Sequence, residues 1–321
     1  GRYVPGFSVA SPAILFRLLR APVDLVIGIE FSLFSFYAAV AARLTGARLL
    51  CVVESRPRFT DPAPLRLLRT AFRRLMCRLP HAFLTNNAAG RGYLVDDLGV
   101  APERIIVRPY LTSSVRDASA PAIARSARPA GEPVRFLYVG DLVKRKGVHL
   151  AIEAFHALPP PLRNQFVLDL VGDGPYQPEL EALVSSLGLG HAVRFLGRQP
   201  YERMAGLYQD ADVFVFPSLG DYRALAPFEA LSAGLPILGS ILDGGSTETV
   251  DEGRNGFRFD PTEPAQLTAQ VARLISDRSL LPRYSARSLE LAAQYTLPSA
   301  VNNLLAACRH ALAGAPQRTS T

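Results

Sequence analysis

With 321 residues, 49% of them hydrophobic and 20% charged, the chain is long enough for two domains with sizeable cores, and its composition excludes a disordered or low-complexity protein. Cys51, Cys77 and Cys308 are odd in number and widely spaced, which argues against a disulfide framework or a zinc knuckle and for a reducing, cytoplasmic setting. The net charge of +7 is uneven: residues 1–130 hold 18 Lys/Arg against 8 Asp/Glu (+10), and residues 131–321 hold 17 against 20 (−3). A basic half of this kind suits an anionic partner, either membrane lipid or a phosphorylated acceptor, and the lack of an aromatic RNA motif or recognition-helix pattern argues against nucleic acid.

In chain order, residues 22–28 read as a strand, 33–44 as a helix and 47–53 as a second strand, an alternation that predicts a parallel α/β layer. The apolar run at 31–42 is 12 residues long and ends at Arg43, well short of the roughly 20 needed to span a bilayer. A helix over 64–79 carries Arg66, Arg69 and Arg73 on one side and Leu65, Leu68, Phe72 and Leu75 on the other. Such a helix either lies on an anionic membrane or packs its apolar face into the domain core. A further strand at 81–85 and a helix at 88–98 follow. Residues 113–133, rich in Ala, Pro, Ser and Arg, read as a linker.

The second half is more regular. Strand-like runs at 135–139, 166–171, 193–196, 213–216, 237–240 and 256–259 alternate with helical patterns such as 149–158 and 178–187, which predicts a doubly wound domain over 134–295. A terminal helix and tail follow at 296–321.

Two stretches carry chemistry. In the first, Phe136-Leu-Tyr-Val-Gly140-Asp141-Leu-Val-Lys144-Arg145-Lys146-Gly147, a buried strand runs into a glycine turn, a basic loop and a helix. Close backbone approach, cations and a helix amino terminus together suit a diphosphate; the plainer reading is a solvated turn. In the second, the buried strand 213–216 ends at Pro217-Ser218, and a short helix over 226–233 is stopped by Gly234 and Pro236. Asp221 then lies in the loop at the strand's carboxyl end and Glu229 just inside the helix, where open α/β sheets bind ligands. Were the intervening segment all helical, they would stand roughly 12 Å apart, beyond the about 5–9.5 Å of glycosidase carboxylate pairs. They fit better as acceptors for hydroxyls at the two ends of a long ligand, or Glu229 is simply an acid favouring the helix dipole. Val171-Gly-Asp-Gly-Pro175 reads as a structural turn, and no His/Cys/carboxylate spacing predicts a metal site.

Asp221-x7-Glu229-Ala-x3-Gly234-x-Pro236 resembles the Glu-x7-Glu signature of glycosyltransferase family 4 (glycosyl transferases group 1), retaining enzymes of the two-domain GT-B fold. Lys146-Gly147 matches the end of that family's Gly-Arg-Leu-x3-Lys-Gly motif, 171–175 its Val-Gly-Asp-Gly-Pro turn, and Gly244-Gly245-x-x-Glu248 its Gly-Gly-x-x-Glu segment. The resemblance implies two Rossmann-like domains facing a crevice, the first (1–112) on the acceptor side and incomplete, so that the chain is expected to be an amino-terminally truncated member. It implies transfer of a hexose from a nucleotide-diphosphate sugar to a carbohydrate or lipid-linked hydroxyl, without metal or cofactor. The expected setting is cell-surface polysaccharide or glycolipid synthesis, in the cytoplasm or peripherally on the inner membrane face. Lys146 and Asp221 are implied as catalytic, and Gly140, Lys144, Arg145, Lys146, Gly147, Asp221, Glu229, Gly244 and Gly245 as donor-binding. Glu248 is expected to fix the helix that follows. The chain departs from the pattern in having Asp221 for Glu, Asp141 for the motif's Arg, and no His at either of the strand ends 24–30 and 52–55 of the first domain, where Glu30 and Glu54 stand as acceptor-side candidates. A non-catalytic sugar-nucleotide-binding or partner subunit is the alternative reading; a dinucleotide dehydrogenase is disfavoured because no Gly-x-Gly-x-x-Gly follows a strand.

Overall fold

The structure is a computed structural model that describes residues 11, 13–54, 63–110, 114, 129 and 131–313, without the side chains of 63 and 64. Most of the 113–133 linker expected from the sequence lies outside the described residues. The chain divides into two compact units, Gly1–Leu111 with Leu297–Thr321, and Thr112–Thr296.

The first unit runs α1 (Ala13–Arg20), β1 (Leu25–Ile29), α2 (Leu33–Thr45), β2 (Arg48–Val52), α3 (Ala63–Met76), β3 (Ala82–Thr85), α4 (Ala88–Gly92) and β4 (Ile105–Val107). Its four strands are parallel in the order β1-β2-β3-β4. β2 and β3 read as unbroken apolar runs because both faces are covered. Where one helix over 88–98 was expected, α4 gives way to a π turn at Tyr93–Asp97. Cys51 and Cys77 are buried free thiols, and burial pushes Cys77 up to about 12, which keeps it protonated.

The second unit runs β5 (Val134–Val139), α5 (Val148–His156), β6 (Phe166–Val171), α6 (Gln177–Ser186), β7 (Val193–Gly197), α7 (Tyr201–Asp210), β8 (Val213–Phe216), α8 (Ala226–Ser232), β9 (Ile237–Ser240), α9 (Gly244–Thr249), β10 (Gly256–Phe259), α10 (Pro264–Ser276) and α11 (Leu280–Ala292). The parallel sheet has the order β10-β9-β8-β5-β6-β7. The chain starts at β5, moves outward through β6 and β7, and then returns to lay β8 on the other side of β5. In open sheets of this kind ligands bind at such a reversal, here at the carboxyl ends of β5 and β8. The core beneath it is aromatic: Phe136 meets Phe155 edge-on at 4.9 Å, and Tyr138, Phe216 and Phe214 stack at about 6 Å spacings.

The last helix, α12 (Leu297–Leu312), is not a separate tail. Ala307 and Ala311 are buried against Leu50, Val52, Ala82 and Leu84 of β2 and β3, and Asn303 donates to the Pro109 carbonyl at 2.8 Å. Small side chains on one face let the helix lie close on the first sheet, so the chain returns to its first unit after completing its second.

Candidate functional site

The sequence-predicted residues converge where the second sheet reverses. β5 ends at Val139, Gly140 follows it, and a 3-10 turn at Lys144–Lys146 leads through Gly147 into α5. Gly147 sits at φ 69°, and a Cβ there would collide with the carbonyl oxygen of Pro217, just past β8. Only glycine lets the basic turn close onto the end of β8. Leu219 N donates to Arg145 O at 2.9 Å, which ties the two loops together.

That closure brings the lysine to the carboxylate. Lys146 Nζ lies 2.6 Å from Asp221 Oδ2, Arg145 Nη1 is 3.1 Å from the same oxygen, and Ser218 Oγ donates to it at 3.1 Å. Lys146 is only 9% exposed, and its ammonium also lies 5.1 Å from the centre of the Phe216 ring. A lysine this buried needs partners, and it has a carboxylate and an aromatic face. Lys144 and Arg145 are exposed beside it. Three cations gather at the amino end of α5, which no side chain caps. This is a setting for an anion of more than one charge.

Asp141 is exposed and caps nothing: the N-cap positions here are Val143 and Gly147. Its carbonyl accepts from the buried Tyr138 hydroxyl at 2.9 Å. The 171–175 turn packs beneath this loop, Leu142 N donating to Asp173 O at 2.8 Å and Tyr176 N to Leu142 O at 3.0 Å.

Glu229 lies in the first turn of α8, and its Oε2 accepts from Tyr208 Oη at 2.8 Å. The segment 244–249 corrects an expectation. Glu248 does not merely precede a helix; 244–249 is itself one, α9, capped by Asp243, whose Oδ2 accepts from Ser246 N at 2.6 Å and Ser246 Oγ at 2.7 Å. Burial raises the Asp243 carboxyl above its ordinary 3.8, against the lowering effect of these bonds. A Cβ on Gly244 would collide with the Tyr222 carbonyl oxygen, and Gly244 N donates to Asp221 O at 3.3 Å. The paired glycines are thus needed for α9 to meet the 221–224 loop. Glu248 points into that same loop, where it grips Arg223. The pattern Arg223…Glu248 carried no signal in the sequence, nor did Tyr208; a buried tyrosine is an ordinary core residue until its hydroxyl is located.

In the first unit, Glu30 and Glu54 do come together. Glu54 N donates to Glu30 Oε1 at 2.8 Å, at the carboxyl ends of β1 and β2. Glu30 has φ 54°, the one positive value outside glycine among the described residues, a strained conformation of the kind found at functional sites. Burial, helped by the Glu54 charge, raises its carboxyl above the ordinary 4.5. Of the four arginines on α3, Arg73 is turned inward: its Nη1 donates to Tyr93 Oη at 2.6 Å and its guanidinium lies 5.4 Å from the Phe31 ring centre. The apolar face of α3 is not in the core, since Leu65, Leu67, Leu68, Phe72 and Leu75 are all exposed.

Among the described residues, no group of three or more His, Cys, Asp or Glu side chains could hold a metal ion, and no helix is long and apolar enough to cross a membrane.

Known proteins share this architecture. The model of the glycosyl transferases group 1 family matches residues 120–290, just over half of the chain. The colanic acid biosynthesis glycosyltransferase WcaL of Salmonella typhimurium, itself a putative assignment, is 29% identical over 225 residues, covering 68% of this chain and 53% of WcaL. D-inositol 3-phosphate glycosyltransferase of Acidothermus cellulolyticus is 31% identical over 244 residues, covering 72% of this chain and 53% of that protein. The chain therefore spans about half the length of these two relatives. Among solved structures, Anabaena Alr3699/HepE in complex with UDP superposes with a TM-score of 0.74 at 19% identity, over 93% of this chain and 82% of that one. The same protein has also been solved with UDP-glucose (TM-score 0.66, 19% identity, 92% and 80% covered). The two parallel α/β units are those of the GT-B fold, and the chain belongs to the glycosyl transferases group 1 family.

Proposed function

We propose that the crevice at the ends of β5 and β8 binds the diphosphate of a nucleotide sugar, and that the protein is a retaining hexosyltransferase acting on a carbohydrate or lipid-linked hydroxyl. The observation that carries this reading is the meeting of Lys146 with Asp221 at the sheet's reversal point, 2.6 Å apart. One of the lysine's three donors goes to Asp221, and the others suit phosphate oxygens. Asp221 takes Lys146, Arg145 and Ser218 all on Oδ2, so Oδ1 is the oxygen that a sugar hydroxyl would meet. Glu229 would accept from the ribose. UDP and UDP-glucose, bound by the Anabaena neighbour, are the first donors to try.

In the transfer step the bond from the sugar's anomeric carbon to the diphosphate oxygen breaks, and negative charge grows on the leaving group. Lys146, its cationic neighbours and the amino end of α5 stabilise that charge without a metal. The acceptor oxygen bonds to the anomeric carbon on the same face, and its proton passes to the departing phosphate. We assign it to cell-surface polysaccharide or glycolipid synthesis, a biosynthetic setting in keeping with WcaL, whose name places that relative in colanic acid biosynthesis. We place the protein in the cytoplasm, with α3 on an anionic membrane face, the exposed leucines inserted and Arg66 and Arg69 at the headgroups.

A non-catalytic sugar-nucleotide-binding subunit is favoured by one observation, the exposed carboxylate of Asp141 beside the basic turn. Single-turnover transfer by the full-length protein separates the two. Lys146→Ala should slow transfer about 10²-fold or more, as removing one electrostatic stabiliser does; a protein that binds donor and never transfers is the subunit.

A further inference from the structure

We infer that Tyr208, a residue of the buried core, is the positioning residue for Glu229 and through it sets the protein's preference for a ribose with its hydroxyls. The inference rests on the reading of Glu229 as the ribose acceptor. Tyr208 is fully buried in α7, with its ring 6.0 Å from that of Phe214 on β8. From there its hydroxyl reaches out of the core to Glu229 Oε2 at 2.8 Å, with the Ala226 carbonyl at 3.5 Å as a weaker second acceptor.

The geometry makes the tyrosine a fixed point. Its ring is held on all sides, so the hydroxyl cannot follow a moving partner, whereas Glu229 is half-buried on three rotatable bonds. Burial and the Glu229 charge raise the phenol well above its ordinary 10, so it donates at any pH of interest. A donor that never titrates and never moves fixes the plane of the carboxylate. Each carboxylate oxygen accepts more than one hydrogen bond, so this anchoring is compatible with receiving a pair of vicinal hydroxyls. Bidentate recognition of a diol depends on that plane, and tolerates errors of roughly 10–20° at most.

The test is a ratio. The wild-type chain and its variants Tyr208→Phe and Glu229→Gln are titrated calorimetrically with UDP, GDP and ADP, and then with the 2′,3′-dideoxy form of the nucleotide that binds best. Wild type should prefer the ribonucleotide by about tenfold or more, as expected for hydrogen bonds to a charged acceptor, and Glu229→Gln should lose most of that preference. Tyr208→Phe, with Glu229 intact, should lose at least threefold of it while still binding the dideoxynucleotide as wild type does. A purely structural tyrosine would weaken both nucleotides alike and leave the ratio unchanged, and that result overturns the inference. The ring remains in place and Glu229 keeps access to water, so the variant should fold, which a thermal melt verifies. If Glu229→Gln keeps the full preference, or wild type shows none, the reading of Glu229 itself fails. If Glu229→Gln loses the preference and Tyr208→Phe keeps it, only the role of Tyr208 fails.

Discussion

Arg223 and Glu248 meet through two hydrogen bonds of 2.8 Å, side by side, in a site where Arg223 is 7% exposed. The guanidinium lies 4.0 Å from the centre of the Phe228 ring, which in turn meets Tyr295 edge-on at 5.0 Å. Arg223 is two residues from Asp221, Phe228 is next to Glu229, and Glu248 lies on the helix opened by Gly244. One ion pair therefore clasps the three elements that bear the candidate residues. Breaking a buried pair leaves a buried charge without its counter-ion, so Arg223→Met should destabilise the protein by about 3–5 kcal/mol. Arg223→Met with Glu248→Met should recover much of that loss. Urea unfolding of the two variants checks this, and a double variant no more stable than Arg223→Met would contradict it.

Two glycines make opposite predictions. Gly244→Ala forces a Cβ into the Tyr222 carbonyl, so it should cost about 2 kcal/mol or more and weaken nucleotide binding with it. Gly206 is exposed within α7, with nothing within 4 Å of a Cβ placed there and no positive φ. Gly206→Ala should stabilise by about 0.5–1 kcal/mol through helix propensity alone. Thermal melts of both variants at one pH decide the matter.

Much of the second unit was legible because most of its strand residues are apolar and buried. Val213-Phe-Val-Phe216 is a continuous buried apolar run, the other five strands are mostly apolar, with Arg135, Asp169, Arg194 and Arg258 as their charged interruptions, and the observed bounds differ from the expected ones by at most one residue. The basic turn and Asp221 were both legible as donor-binding candidates through the family resemblance, and their direct contact was not, although both follow strands, β5 and β8, that flank the reversal point. The helix α9 was not: its sequence, Gly-Gly-Ser-Thr-Glu-Thr, has poor helix propensity, and it forms because Asp243 caps it and the 221–224 loop packs on it. Nor was the return of α12 to the first sheet, since an alanine face states that a helix packs closely and not against what. The partners of Arg73, Tyr93 and Phe31, were hidden by the same logic; helical spacing showed a cationic stripe and not which arginine turns inward.

Glu30 offers a pH test. Its carboxyl is raised above the ordinary 4.5 chiefly by burial, so between 4.5 and its folded value the native state holds more protons than the unfolded one. Stability contributed by this group then falls as pH rises through that window. Gln keeps an oxygen for Glu54 N and removes the buried charge. Glu30→Gln should therefore raise the first unit's melting temperature at pH 7–8, with the gain fading as pH drops below 4.5. A gain that is constant with pH would show that ionisation of Glu30 is not its source.

The exposed face of α3 predicts vesicle binding. Leu67 and Leu68 are 69% and 68% exposed, and Arg66 and Arg69 flank them. Reversing both arginines to Glu should abolish cosedimentation with vesicles containing anionic phospholipid, and about 0.5 M salt should weaken the wild type. Reversing Arg73 should instead cost stability, since it would break the bond to Tyr93. Binding that survives both the reversal and the salt would rule out electrostatic docking through α3.

The central claim is that Lys146, held by Asp221 at the end of β8, receives a nucleoside diphosphate. Isothermal titration of the chain and of Lys146→Met with UDP, GDP and ADP tests it most directly. One of the three should bind wild type, and Lys146→Met should weaken that nucleotide at least tenfold, about 1.4 kcal/mol. An unchanged dissociation constant in Lys146→Met, or no binding of any of the three to the wild-type chain, would contradict the account.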